Sequence, residues 1–306
     1  VTRRGWALFV AMSVIWGIPY LLIKVAVGQV SPAVLVFART SVGAALLLPF
    51  AARRRQLGTL RSHWPAVLAF AAIEIAGPWL LLSDAERRLS SSTTGLLIAA
   101  VPIIGVVLAR LTGDRRPVSA VRWLGLLLGL GGVALLAAPA LHGGGVRPMA
   151  EVLLTALGYA TAPLIADRSL RDCPSLAVTS VCLTVTALIY TPAAAATWPS
   201  RMPSASATAS LAGLAAVCTA IAFVLFFELI GEVGAARATV ITYVNPAVAV
   251  VCGATFLSEP LTATIGGSFV LILAGSVLAT RRTVERVGPV AEPAGPVSSA
   301  VEARGP

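Results

Sequence analysis

Apolar residues in this chain come in long blocks, not in alternation. Ten blocks run near Trp6–Val27, Ala33–Phe50, Trp64–Leu82, Gly95–Leu111, Val121–Ala140, Ala150–Ala166, Leu176–Ala196, Leu211–Phe227, Ala235–Leu257 and Thr262–Thr280. Each approaches the roughly 20 residues that a helix needs to cross the hydrocarbon of a bilayer. Each therefore predicts a transmembrane helix. The period-two alternation of a β-barrel strand is absent. Several blocks hold internal Pro or Gly, which bilayer helices tolerate better than soluble ones do. Ser31-Pro32 reads as an N-cap followed by a first-turn proline, opening the second helix.

The punctuation of this pattern occurs twice. Pro102 and Pro246 each interrupt an apolar stretch that opens with small residues, at 90–95 and 234–239, and closes on a carboxylate, Asp114 or Glu259. Trp16, Pro19 and Pro32 correspond in order to Tyr159, Pro163 and Pro174. Pro19 and Pro163 each remove a backbone donor inside a helix, so both helices should kink; with Pro102 and Pro246 they are the candidate gating prolines. The ten spans divide near His142-Gly143-Gly144-Gly145 into two repeats, 1–141 and 146–280. An odd number of spans per repeat turns the second copy upside down. The expected fold is thus all-α and integral to the membrane, with ten transmembrane helices as two inverted five-helix repeats. Such repeats place a substrate site between the halves near the bilayer midplane. Residues 281–306 lack helical periodicity and read as a disordered cytoplasmic tail.

Composition agrees with the pattern. Apolar residues make up 57% of 306 positions and charged residues 12%, against about a quarter charged in soluble domains; the mean hydropathy is +0.89. The first block is too long for a signal-peptide core and carries Pro19 and Lys24, so it is expected to remain as a span. The net charge of +10 raises the question of nucleic acid, but its distribution answers otherwise. With the N-terminus inside, 17 of the 23 Lys and Arg fall in cytoplasmic segments, and only Arg87, Arg88, Arg147 and Arg201 in the opposite loops. Short loops biased in this way set orientation, so both termini are expected to be cytoplasmic in a cell (inner) membrane. No nucleic-acid partner is expected. The four cysteines form no C-x-x-C or Cys/His cluster, so neither a metal site nor a disulfide framework is indicated. Gly125, Gly129 and Gly132, like Gly266, Gly267 and Gly275, line up as small residues on which helices can approach closely, within the chain or in a homodimer.

Candidate chemistry is sparse and concentrated inside spans. Glu74 lies mid-span, where an ionised carboxylate costs on the order of 3 kcal/mol and is kept only with compensation. It reads either as a cavity group that binds an amine or a coupling proton, or as a helix–helix contact near Pro78 and Trp79. Lys24 and Arg39 lie roughly 6 Å below the outer ends of their spans at ~1.5 Å per residue. They either snorkel to the interface or rim a cavity and bind carboxylates. Trp16 and Tyr159 occupy matching places in the two halves and can stack on a substrate or act as gates. Trp79 lies deep enough to share a cavity with Glu74, and Tyr243 and Asn245 bring polar groups deep into the ninth span. Trp6, Trp64 and Trp123 read as interfacial anchors, and Glu151, Glu228 and Glu232 as solvated span ends. No nucleophile–base pair or phosphate loop occurs, so enzymatic activity is not expected.

Taken together, Trp16-Gly17 with Lys24, Pro32 and Arg39, the stretch Ala85 through Pro102, and Leu229-Ile230-Gly231 through Pro246 followed by Glu259 resemble the EamA-type branch of the drug/metabolite transporter superfamily. The resemblance spans roughly 5–280. It implies ten helices in two inverted repeats, movement of small metabolites or toxic compounds, often outward, and no bound cofactor. The family commonly carries Gly-Glu after the fourth and ninth helices, where this chain has Gly113-Asp114 and Ser258-Glu259. Glu74 stands where the family typically has apolar residues. The function expected is a secondary carrier moving a small amphipathic metabolite or drug by alternating access, with substrate or proton gradients as its energy source. An integral-membrane enzyme on lipid-linked substrates would cluster its polar groups at one interface, and a membrane sensor or scaffold has no need of two inverted halves.

Overall fold

A computed structural model describes residues 2–112, 119–143, 145–234, 238 and 240–280. Asp114, most of 235–239 and the 281–306 tail lie outside the described residues. Ten helical segments cross in succession: α1 (Arg3–Val27), α2 (Pro32–Arg53), α3 (Leu57–Ala85), α4 (Ser91–Leu111), α5 (Ala120–Gly143), α6 (Val146–Ser169), α7 (Ser175–Ala196), α8 (Ala205–Val233), α9 (Ile241–Phe256) and α10 (Ala263–Thr280). Nine are long and apolar enough to span a membrane. The tenth, α9, has 16 residues, about 24 Å at 1.5 Å per residue, so it falls short of the full hydrocarbon thickness.

The two sets of five pack in exchange. α1 lies on α8 as α6 lies on α3, and α2 reaches α8 as α7 reaches α3, while α2 meets α7, α4 meets α9 and α5 meets α10. Reciprocal contacts of this kind are what a two-fold relation between halves requires. The tightest crossing is α5 on α10. A Cβ on Gly275 would lie 2.4 Å from the Gly129 nitrogen and 2.6 Å from its Cα. In a bilayer no hydrophobic force drives helices together, so close backbone approach and dispersion must do so. The outward surface is correspondingly apolar, with Trp6, Leu111, Trp123, Leu188 and Phe256 all exposed.

Prolines break the first half more than the second. α1 is interrupted at 16–18, because Pro19 has no N–H for the Ile15 carbonyl, and α4 at 99–100, just before Pro102. α6 and α9 continue helical through Pro163 and Pro246. Two helices also carry a π-helical stretch at mid-span: Ala71–Ala76 in α3 and Gly213–Ile221 in α8. In α3 the cause is legible. Pro78 cannot donate to the Glu74 carbonyl, and the Gly77 N–H bonds back to the Ala72 carbonyl, one residue beyond the α-helical register.

Polar contacts join the halves at both ends of the bundle. At the end where 143–145 links them, Gln29 Nε2 donates to Ser204 Oγ at 2.7 Å, and Ser31 and Thr197 share a hydroxyl bond of 2.7 Å. There too, Arg147 pairs with Asp84 at 3.1 Å. Glu259 accepts from the backbone N–H groups of Ser91 (2.7 Å) and Ser92 (2.9 Å), and from the Ser92 hydroxyl. It thereby caps the N-terminus of α4 from the opposite half, where the helix dipole favours an anion. Gly253 makes room for it: a Cβ there would lie 2.4 Å from Glu259 Oε2. At the terminal end Arg4 pairs with Glu228 at 2.8 Å and Thr2 donates to Glu232. Glu151, expected in solvent, is instead 7% exposed and bonded to Arg147 Nε at 2.8 Å.

Candidate functional site: a central cavity between the halves

A cavity of about 440 Å³ lies between the halves. Tyr20 and Leu82 line it toward the linker end, and Leu170, Cys173 and Ser175 line it toward the terminal end. The expected site residues Trp16, Arg39, Glu74, Trp79, Tyr159 and Asn245 all line it, as do Pro19, Pro163 and Pro246. Lys24, Tyr243 and Pro102 do not. Lys24 sends its ammonium to the carbonyls of Glu86 and Leu89, both at 2.7 Å. The Tyr243 hydroxyl bonds Thr280 on α10. Depth along a helix is readable from sequence, but the side of the helix that faces the cavity is not, and these two residues show the difference.

Arg39 is the best-held side chain of the cavity. It is 6% exposed; its guanidinium carbon lies 3.6 Å from the centroid of the Trp79 ring, and its Nε donates to Thr219 Oγ1 at 2.8 Å. A guanidinium stacked on an indole is attracted by the negative ring face, the more so when both are desolvated. Thr219 belongs to the π stretch of α8 and donates in turn to the Leu214 carbonyl at 2.8 Å, so its oxygen is aimed at Arg39. This leaves the two terminal nitrogens of Arg39 for other partners. Glu74, on the π stretch of α3, forms no ion pair with Arg39 or with any other described cation. The cavity therefore holds a basic and an acidic side chain that are not ion-paired with each other. Tyr190 on α7 braces the same π stretch, its hydroxyl donating to the Ala76 carbonyl at 2.9 Å.

The remaining lining is largely aromatic. Trp16 packs on Phe226 at 4.6 Å and on Phe223 at 6.0 Å between ring centroids, and Tyr20, Phe70 and Phe227 complete the wall. Asn245 is tied to structure: oriented to satisfy both its ends, its amide nitrogen donates to the Ile241 carbonyl (2.9 Å) and the Ser13 carbonyl (3.1 Å). Sequence reasoning missed Thr219, Tyr20 and the Phe223/Phe226/Phe227 group. A single Thr in an apolar span carries no signal, whereas three Phe within five residues of α8 was a signal available to be read.

Two inverted five-helix halves around a shared cavity in a multi-pass membrane protein define a membrane transporter. The sequence profile of the EamA-like transporter family matches residues 3–138 and 149–281, one match per half, and the chain belongs to that family. It is 27% identical over 285 residues to the uncharacterized transporter YvbV of Bacillus subtilis (strain 168), covering 90% of this chain and 92% of that protein. It is 26% identical over 263 residues to the uncharacterized inner membrane transporter YedA of Escherichia coli (strain K12), covering 84% and 83%. A probable terminal-alkyne amino-acid exporter of Streptantibioticus cattleyicolor is 28% identical over 301 residues, covering 94% and 96%. A crystal structure of a protein 20% identical superposes with a TM-score of 0.66 over 92% of this chain and 98% of the other, which shows the shared fold.

Proposed function

We propose that the chain is a secondary exporter, not an enzyme, and that its cargo is a small amphipathic zwitterion with a carboxylate, an amine and an apolar body. One observation carries this reading: Arg39 and Glu74 stand unpaired with each other in one aromatic-walled cavity. The terminal nitrogens of Arg39 suit a carboxylate, which a guanidinium binds through two parallel hydrogen bonds. Glu74 suits the amine, and between loads it takes a proton, so that cargo and proton compete for one carboxylate. The aromatic wall receives the apolar body. The relative that is named as an amino-acid exporter supports the same class of cargo.

Export is the direction supported by the relative named as an exporter, and the orientation of the chain is compatible with it. The excess of Arg at the terminal end favours a cytoplasmic position for that end, and the cavity extends toward it, so cargo loads from the cytoplasm. Closure of that end and opening of the linker end then completes alternating access.

The test is accumulation in proteoliposomes, with and without a pH gradient, of a hydrophobic zwitterion, its decarboxylated amine and its N-acetylated acid. Wild type is expected to prefer the zwitterion over both analogues. Glu74→Gln should erase the preference over the N-acetylated acid alone, and Arg39→Gln the preference over the amine alone. If no zwitterion accumulates, or if both variants keep the wild-type ranking, the reading is wrong.

A further inference from the structure

The linker end holds a titratable group that the cavity does not use. Glu86 follows the last residue of α3, is fully buried, and neither of its carboxyl oxygens has a hydrogen-bond partner. The cation next to it is engaged elsewhere: Lys24 donates to the backbone carbonyls of Glu86 and Leu89. An ammonium has three N–H donors, so Lys24 grips the turn between α3 and α4 with two of them and keeps one spare. The same turn is held from the opposite half by Glu259, which caps α4 at Ser91 and Ser92.

Three charged or titratable groups act on Glu86 from the elements around it: Lys24 and Tyr20 of α1, and Glu259 of the α9–α10 loop. Its neighbours on α3 and α6, Asp84 and Arg147, engage one another. Burial pushes the Glu86 carboxyl well above the usual carboxylate range, Lys24 draws it down, and the charge of Glu259 acts in the same direction as burial. A buried carboxyl without partners is stable only when neutral, or when a cation turns to it.

We propose that Glu86 is a proton-binding site that controls the linker end of the transporter, separate from the cavity carboxyl Glu74. With the proton bound, Lys24 stays on the carbonyls and the turn stays closed. With the proton lost, the carboxylate draws the Lys24 ammonium off the Leu89 carbonyl and repels Glu259 from its cap on α4. Both effects loosen the turn, one within the first half and one across the halves. The sign follows from linkage: the closed form binds the proton more tightly, so low pH holds the end closed and rising pH opens it. One linked proton changes the open-to-closed ratio at most about tenfold per pH unit.

The experiment is a spin-label distance measurement on the full chain in lipid nanodiscs. Labels are placed at Arg87→Cys and Arg201→Cys, one exposed loop position in each half. The four buried native cysteines are replaced by Ala, and pH is varied from about 5 to about 9, the range in which buried carboxyls titrate. The long-distance population is expected to grow with pH through a single midpoint. Glu86→Gln should hold the short distance at every pH. Lys24→Met should populate the long distance already at low pH, since the turn loses the two carbonyl bonds that hold it closed, and Glu259→Gln should lower the midpoint. A distribution flat in pH, a pH response kept by Glu86→Gln, or wild-type behaviour in both Lys24→Met and Glu259→Gln overturns the proposal. No substrate is needed, so this result is independent of the cargo assignment.

Discussion

The two π-helical stretches occupy matching positions, in α3 of the first half and α8 of the second, and they carry opposite chemistry. Each is contacted from the other repeat's partner of α2: Tyr190 of α7 braces the first, and Arg39 of α2 reaches the second. In the first, Glu74 is left unpaired toward the cavity. In the second, Thr219 spends its hydroxyl on Leu214 and on Arg39. A π turn widens the helix and re-aims one side chain, and the duplicated backbone supplies that device twice. One copy carries an acidic side chain and the other a hydroxyl that holds a basic one. The halves match in how they pack and differ in the polar side chains they present to the cavity.

Four measurements bear on this comparison. The largest effect is expected from Gly275→Leu, which forces side chain into the Gly129 backbone at the α5–α10 crossing. Overpacking of a well-packed contact costs roughly 1–3 kcal/mol or more, here without room to relax. The variant should not yield a monodisperse protein on size exclusion, and a well-folded one would mean that the halves are not locked by this crossing. Next, Glu74→Gln should lower zwitterion transport by about tenfold to a hundredfold, the worth of a hydrogen bond to a charged group at roughly 1.5–3 kcal/mol. Wild-type rates in a correctly inserted variant would make Glu74 a packing residue and remove the contrast between the stretches.

Thr219→Val should act more mildly. Arg39 keeps its stack on Trp79 and loses one aimed bond, so the KM for carboxylate-bearing cargo should rise about three- to tenfold, for roughly 0.5–1.5 kcal/mol. Transport of an amine-only analogue should be unaffected, and an equal loss for both would show that Thr219 serves the fold alone. The smallest effect belongs to Tyr190→Phe, which removes the brace on the Ala76 carbonyl. Thermal unfolding should show a loss of about 1 kcal/mol with cargo ranking unchanged; an altered ranking would mean that the brace sets where Glu74 points.

Legibility differed from residue to residue, for physical reasons. Pro78 four residues after Glu74 announces a disturbed helix, because a missing donor is written in the sequence. The π stretch of α8 contains no proline and had no such sign. Glu74 and Trp79 could be placed together because both lie deep in one span. Lys24, nearer the outer end of its span, could be read either as snorkelling or as rimming the cavity, and it turned out to serve the α3–α4 turn. Glu86 went unremarked because one acidic residue beside Arg87 and Arg88 at a span end looks solvated, and only the packing of α1 over it removes the water.

Ten spans, their division into two fives and the Ser31 cap were determined by sequence alone, whereas the four candidate gating prolines looked alike and only Pro19 and Pro102 break their helices. The bilayer leaves backbone groups no partner but their own helix, so an apolar run of sufficient length has one outcome. Which side chains meet was decided by the tertiary structure. Arg39 on Trp79 and Thr219, Glu259 on the end of α4, and Glu86 under Lys24 each join residues more than 35 positions apart, through helix rotations and crossings that dispersion between small residues sets and no local pattern records.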